Sequence, residues 1–546
     1  MITDLRARFF CYFVVTIQVG LCGWYVQSQS TLLPVIDEWD QLDSYFRRDA
    51  TSTPWVWQHH GDHLYPLTRW VWINTLKLTG FRFYGPQFLT LAFMTSAAVL
   101  SVWIARLRRG RQQIGDVVFP ALLLHFGHGI TWTMGYQLGF GIVVNAFLGW
   151  LWTASQYERS GHRGWLLLNL VYLLMILPCG GFGVAMTPAL VLWVLWLAWR
   201  EGRWNLVRLG GVLCALGFVA YTVMIVRITP PVPEGFGATP WKEPERFVRC
   251  FAEFLSCSFG IWTQVPGVYD TAHKLVMIAV PLGLLVTGVV LLFRRGWGPF
   301  RVAVLALVFG IVLCAAAAAY RRPGAFLDRY IVFGAVAWLA IGLGFLKPNM
   351  LRQRAVTVLA LLTTVALFGL NIRPGLFEAY RLREGTPEML KAIESGRPPV
   401  VISAQFVGLF AVQRHDSFPG FANTLAVLRD ARVEPFRKLG TDDQWKVQPL
   451  PPRKSVSTLD GDIALPDPPA NAVGVIVKYI TDDGAMNQSI DLWIGRKLVD
   501  LAHPSYGKGF GDLAWLFPAG STGLTIKPAH PNLNVQMWGW NWLFQP

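Results

Sequence analysis

Residues 9–43 read FFCYFVVTIQVGLCGWYVQSQSTLLPVIDEWDQLD. The first part, residues 9–26, is apolar and follows Arg6 and Arg8. No small-residue cleavage site comes after it, which predicts an uncleaved first membrane span. The second part delivers Asp37-Glu38-Trp39-Asp40 and Asp43 directly beyond that span. An apolar span followed at once by clustered carboxylates sets the terms for the rest of the chain. Of its 546 residues, 53% are hydrophobic and 15% charged. A soluble protein carries about 25% charge, so a single soluble globule is disfavoured. Mean hydropathy is +0.39 and there are 25 Trp. Basic residues outnumber acidic ones 48 to 33. In a membrane protein that excess serves topology, so no nucleic-acid partner is read from it. The seven Cys all precede residue 315, and most sit in apolar runs. No Cys-x-x-Cys pair occurs, so neither a disulfide framework nor a zinc site is indicated.

Further apolar runs lie near 87–105, 115–131, 138–155, 164–179, 183–199, 206–226, 273–293, 300–319, 330–346 and 354–371. With the first they predict a polytopic α-helical membrane protein of about 11 transmembrane helices. Only Gly180-Gly181-Phe182 separates two of the runs, so one of that pair is expected to be re-entrant or broken. Basic clusters at Arg106/Arg108/Arg109/Arg111, Arg159/Arg163, Arg200/Arg203/Arg208, Arg294/Arg295/Arg301 and Lys347/Arg352/Arg354 fall at alternate connections, on the side of the N-terminus. The positive-inside rule makes that side cytoplasmic. Residues 1–372 are then a transmembrane domain with long outer loops at 27–86 and 228–272. Residues 373–546 form an extracytoplasmic domain. Within the second loop, Glu243 to Ser256 is amphipathic, as in helices that lie along a membrane surface. Cys250 and Cys257 are too far apart along one helix to bridge.

In the C-terminal domain, residues 387–396 read as a short helix, Pro398 to Ala404 as a strand, and Phe421 to Leu439 as helical. Residues 440–470, rich in Pro and Asp, read as a linker. From Ala472 onward, alternating stretches recur at Val473–Ile480, Ser489–Ile494, Leu513–Phe517, Leu524–Lys527 and Val535–Trp540. They predict a small β-sandwich over 472–546. Its Trp493, Trp515, Trp538, Trp540 and Trp542 suit a core or a membrane interface better than sugar stacking.

Three places could carry chemistry. Crowded carboxylates at Asp37, Glu38 and Asp40 could supply a general base, or ligands for a hard divalent cation. Gln58-His59-His60-Gly61-Asp62-His63, with Arg69 beyond, could bind a metal, a phosphate or sugar hydroxyls, although no familiar zinc spacing is present. The outer connection 320–329 carries Arg321, Arg322 and Arg329 where positive charge is disfavoured. Arginines so placed suit a lipid phosphate or pyrophosphate. Polar residues inside runs, His125, His128, Asn145 and Asn169, read as helix-packing groups.

The N-in first span, the acidic motif opening the first outer loop, the many further spans and the outer C-terminal domain together resemble the GT-C superfamily of polytopic glycosyltransferases. Asp37-Glu38 matches that superfamily's acidic motif in type and position, with Asp40 a second candidate. Asp62-His63-Leu64-Tyr65-Pro66-Leu67-Thr68-Arg69 is similar to an Asn-Glu-His-Arg-x-x-x-Pro-Arg segment of bacterial membrane proteins of this class. Gly61, Asp62, Leu64 and Thr68 stand where that segment has Asn, Glu, Arg and Pro. Asp328-Arg329-Tyr330 resembles an Arg-Tyr pair at the outer end of a late span. The resemblance implies a bacterial inner-membrane hexosyl- or pentosyltransferase. Its donor is a polyprenyl-phosphate-linked sugar and its acceptor a glycan, lipid or protein. The implied catalytic group is Asp37, Asp40 and Glu38. The implied substrate-binding group is Asp62, His63, Arg69, Arg321, Arg322, Arg329 and Tyr330. No organic cofactor is implied; some members need a divalent cation such as Mg or Mn, and others do not. A flippase for a lipid-linked glycan would also explain many spans and outer arginines. A non-catalytic envelope assembly protein would explain the outer domain. The chain shows no convincing internal repeat, which weakens the transporter reading.

Overall fold

The computed structural model describes residues 2–35, 37–47, 54–58, 64–200, 206–228, 240–260, 270–293, 298–321, 328–346, 353–383, 385–410, 418–441, 446–448, 457–458, 462–481, 490–502, 509–528 and 535–544. The chain forms two compact units. One comprises Met1–Ser30, Val56–Gly80 and Tyr84–Ala379; the other comprises Thr31–Trp55, Phe81–Phe83 and Tyr380–Pro546.

Helix α1 (Ile2–Gln29) begins the first unit, and the acidic helix α2 (Asp37–Arg47) belongs to the second. The first unit continues with α3 (Pro66–Leu78), α4 (Tyr84–Arg109), α5 (Val118–Leu123), α6 (Gly129–Thr133), α7 (Leu138–Ser160), α8 (Gly164–Ile176) and α9 (Gly181–Arg200). Then come α10 (Leu206–Ile228), α11 (Pro244–Ser256), α12 (Asp270–Phe293), α13 (Pro299–Arg321), α14 (Ile331–Phe345) and α15 (Gln353–Arg383). Among the described residues, eight segments are long and apolar enough to cross a membrane. The runs expected at 164–179, 206–226 and 330–346 fall on shorter apolar helical segments. The expected eleven spans are thus eight of full length and three shorter pieces. At Gly180 the expected break is present: α8 tightens into a 3-10 turn, Leu177–Cys179, and α9 begins beyond it. Gly180 has φ +126, which only glycine adopts readily. The amphipathic stretch is helical, as α11, and all seven Cys are buried.

The run at 115–131 departs from a simple span. Residues Ile114–Thr133 fold as a 3-10 turn, α5, a second 3-10 turn (Phe126–His128) and α6. Pro120 and the Gly127 and Gly129 positions deny it a continuous helical ladder. Side chains then satisfy the broken backbone. Trp132 Nε1 donates to the His125 carbonyl at 3.0 Å, and the Gly127 amide donates to His125 Nδ1 at 3.0 Å. His128 Nε2 lies 3.1 Å from the Leu122 carbonyl. Irregular backbone survives at membrane depth only when protein groups re-pair it. The intramembrane histidines therefore do structural work. So does Asn169, which donates to the Trp150 carbonyl at 2.9 Å and to Thr153 Oγ1 at 2.8 Å.

Charged groups gather where the sequence grouped the basic clusters. Asp4 on α1 accepts from Arg8 and, at 2.6 Å, from the Gln112 amide. Arg108, at the end of α4, pairs with Glu158 of α7 at 2.6 Å. Glu158 also accepts the Phe300 amide of α13 at 2.7 Å. Arg109 pairs with buried Asp116. One end of the bundle thus holds the start of α1, the ends of α4 and α7, and the start of α13.

The second unit adds α16 (Thr386–Glu394), α17 (Pro399–Phe410) and α18 (Phe418–Asp430) to two antiparallel sheets. The strands are β1 (Lys446–Gln448), β2 (Ser457–Thr458), β3 (Ile463–Ala464), β4 (Ala472–Thr481), β5 (Ile490–Ile494), β6 (Lys497–Ala502), β7 (Gly509–Leu516), β8 (Leu524–Pro528) and β9 (Val535–Phe544). One sheet runs β1-β9-β4-β7 with β2 also on β9; the other runs β3-β8-β5-β6. Val475, Leu513, Trp515 and Trp542 of the first meet Ile490, Leu492 and Ile526 of the second in one core. The expected sandwich is present: the five expected stretches are β4, β5, β7, β8 and β9, while β6 was not expected. Trp515 and Trp542 are core residues, and Trp515 Nε1 donates to the Ile490 carbonyl at 2.9 Å. The side chains of Trp538 and Trp540 lie outside the described residues.

Three local expectations are corrected. Pro398 to Ala404 is not a strand: the segment is α17, which lays Val401 and Ala404 on Ile476, Ala514 and Leu543. Those residues occupy the face of the first sheet opposite its sandwich core. Covering that face outweighs the β-propensity of Val400, Val401 and Ile402. The stretch 440–470 is not only a linker, since it supplies β1, β2 and β3. The helix expected over 421–439 ends at Asp430 and resumes as a 3-10 turn, Phe436–Lys438.

Candidate active site

The acidic motif is the first turn of α2. Helix formation here follows from its start. The Glu38 carboxylate reaches back and accepts the Val35 amide at 2.9 Å, while the Glu38 amide donates to the Val35 carbonyl at 3.1 Å. That is the reciprocal logic of a capping box. Carboxylates in a first turn also complement the helix dipole. Glu38 is fully buried, Asp40 nearly so, and Asp37 half-buried. Asp37 and Asp40, three positions apart, share a helix face. Of the three, Asp37 is the most accessible to a substrate.

The other face of α2 is anchored within the second unit. Trp39, fully buried, packs edge-on against Phe421 of α18 at 4.9 Å and Phe436 at 5.5 Å. Thr424 Oγ1 of α18 donates to Asp43 at 2.9 Å. Trp55 Nε1 donates to Ser44 Oγ at 3.0 Å, and the Trp55 ring lies 5.0 Å from that of Tyr45. Sequence reading missed Phe421, Thr424 and Phe436. No local signal points to them, because Thr424 and Asp43 stand 381 positions apart. The capping role of Glu38 was not read from the sequence, since Val35-x-x-Glu38 lacks the Ser/Thr-x-x-Glu signature.

The remaining candidates lie in or near the first unit. His59, His60, Asp62, His63, Arg322 and the side chain of Asp328 lie outside the described residues. Arg69, on α3, is buried and donates to the Gln58 carbonyl, so it fastens the chain that leads into α3. Arg321 ends α13 and is half-buried. Arg329 lies in the 3-10 turn Asp328–Tyr330, its guanidinium 5.6 Å from the Tyr330 ring. Tyr330 is buried against Phe254 of α11 at 4.8 Å. This turn packs on α6 and on the 3-10 turn Phe126–His128. The turn that carries Arg329 therefore borders the irregular segment. Among the described residues, no three His, Cys, Asp or Glu side chains are arranged to hold a metal ion.

The fold and these residues define a polytopic helical membrane protein whose second unit joins an acidic helix to a β-sandwich. No family model and no curated protein matches the chain. Among solved structures it is similar to ArnT from Cupriavidus metallidurans bound to undecaprenyl phosphate. That similarity spans 76% of this chain and 75% of the other, at 17% identity and a TM-score of 0.35.

Proposed function

We propose that the protein is a membrane glycosyltransferase that moves a sugar from a polyprenyl-phosphate carrier to an envelope acceptor on the extracytoplasmic side of a bacterial inner membrane. The acceptor is a glycan, lipid or protein. The N-terminus is cytoplasmic, and residues 373–546 are periplasmic or extracellular. The observation that carries this reading is Asp37. It is a half-buried carboxylate at the start of an anchored helix, directly after the first span, where the sequence resembles the acidic motif of GT-C enzymes.

The reaction is direct displacement at the anomeric carbon. Asp37, with Asp40 on the same helix face, takes the proton of the acceptor hydroxyl as its oxygen bonds to that carbon. The bond from the anomeric carbon to the carrier phosphate breaks, and the phosphate leaves with the electron pair. Positioned general bases contribute about 10²- to 10⁴-fold. Arg321, Arg322 and Arg329 bind the lipid phosphate and stabilise the charge it gains, the kind of term that dominates many active sites. Asp62 and His63 orient sugar or acceptor hydroxyls, and Tyr330 supports Arg329. Arg69 acts through the loop it fastens.

The test compares envelope glycans by mass spectrometry in three strains. One lacks the gene, one carries the wild-type chain, and one carries Asp37→Asn at matched protein level. Loss of one sugar without the gene, its return with wild type and its continued absence with Asp37→Asn are expected. Full restoration by Asp37→Asn removes Asp37 from the reaction.

A further inference from the structure

We infer that the C-terminal unit is the holder of the catalytic helix, and that Thr424, with Phe421 and Phe436, acts as a positioning group for Asp37 and Asp40. This rests on the proposed function and extends it to residues nearly four hundred positions away.

The argument begins with how little of α2 is fixed locally. The helix has 11 residues. Isolated helices shorter than about 12 to 15 residues are marginal in water. Its own cap, Glu38 to Val35, orders the first turn but does not set the direction in which that turn points. Direction comes from tertiary contacts: Trp39 and Asp43 meet α18 and the turn after it, while Ser44, Tyr45 and Phe46 meet Trp55 and Phe81. Trp39 is clasped by two aromatic rings, each near edge-on at 79° and 66°. Edge-to-face pairs hold geometry as well as area. Asp43 accepts the Thr424 hydroxyl, and Thr424 is itself fully buried. Trp39 and Asp43 lie four apart and so one above the other on one helix face. The pair fixes both the roll and the axial position of α2. Asp37 lies off that stripe, and Asp40, three positions before Asp43, borders it; both are carried by the same rigid turn. Moving reacting groups by about 1 Å costs on the order of 10²-fold in rate. A modest loosening of this clasp therefore registers in turnover before it registers in folding.

Thr424→Val keeps shape and removes the donor; Thr424→Ser keeps the donor. Phe436→Leu loosens the ring clasp while preserving an apolar side chain. Each full-length variant is expressed in the strain lacking the gene and also purified in detergent. Glycan product per protein, thermal unfolding and binding of undecaprenyl phosphate are measured, with Asp37→Asn as reference. The expected result is about a tenfold drop in product for Thr424→Val and Phe436→Leu, with wild-type binding of undecaprenyl phosphate and a near-native unfolding temperature. Thr424→Ser restores most product. Wild-type product from both Thr424→Val and Phe436→Leu, while Asp37→Asn is inactive, overturns the positioning role. Full product from Asp37→Asn is a separate failure and overturns the carboxylate assignment itself.

Discussion

Asp37, Glu38 and Asp40 are adjacent carboxylates with three different fates. Glu38 is consumed by the backbone of Val35, Asp40 is almost fully buried, and Asp37 keeps partial access to solvent. Substitution separates the fates. Glu38→Ala removes a helix cap worth about 1 kcal/mol, so the unfolding temperature in detergent falls by roughly 3 °C. Asp37→Asn leaves that temperature unchanged yet abolishes product. A second residue-scale case is Asp500 in the sandwich. It accepts from Arg397 at 3.1 Å, Gln405 at 2.6 Å, and the amides of Leu516 and Leu501 at 2.7 and 3.0 Å. Asp500→Ala removes the partner of the Arg397 charge and of three further donors. Breaking a buried pair costs about 3 to 5 kcal/mol. Partial exposure of Arg397 reduces this to roughly 2 kcal/mol, readable as a lower unfolding midpoint in urea.

Elements in this protein are broken or joined by their neighbours as much as by their own sequence. Hydropathy placed the apolar runs but could not show that Ile114–Thr133 folds in four pieces. Its carbonyls are met by Trp132 and His128, and the segment packs around Asn371 of α15. Asn371 donates to the Phe259 carbonyl at 2.9 Å and crowds both Gly127 and Gly260. At Gly260, φ is +103, and an added Cβ would stand 2.0 Å from Asn371 Oδ1. Gly260→Ala is therefore strained by backbone and by contact, and is expected to cost more than about 2 kcal/mol. Detergent-solubilised yield and unfolding temperature both fall, whereas Gly217→Ala, with open space around its position, leaves them unchanged. The segment after Pro398 teaches the same lesson in reverse. Three β-branched residues in a row read as a strand, but the sheet it meets offers a flat apolar face, and a helix covers such a face with its backbone fully bonded.

For the whole molecule, the division into units bears most on function. Residues 31–55 leave the membrane unit and fold with residues 380–546. Truncation after Ala379 is expected to abolish product although Asp37 and Asp40 remain in the chain, because α18 is gone. Glycan analysis of the truncated strain checks this. An alkaline phosphatase fused after Pro546 is expected to be active, and a fluorescent protein at the same point dark. The opposite result reverses the assigned orientation. The sequence by itself determined what local physics encodes. Apolar runs of spanning length, basic clusters at alternate connections and period-two stretches after Ala472 each follow from residues within one short window. Tertiary structure alone decided which distant pieces share a core. It put the acidic helix on α18, turned 399–410 into a helix, and paired β1, β2 and β3 with strands at the chain's end. Such choices rest on contacts across hundreds of positions. Their energy comes from burial and hydrogen bonds made only when both partners are present, so neither partner's sequence carries it alone.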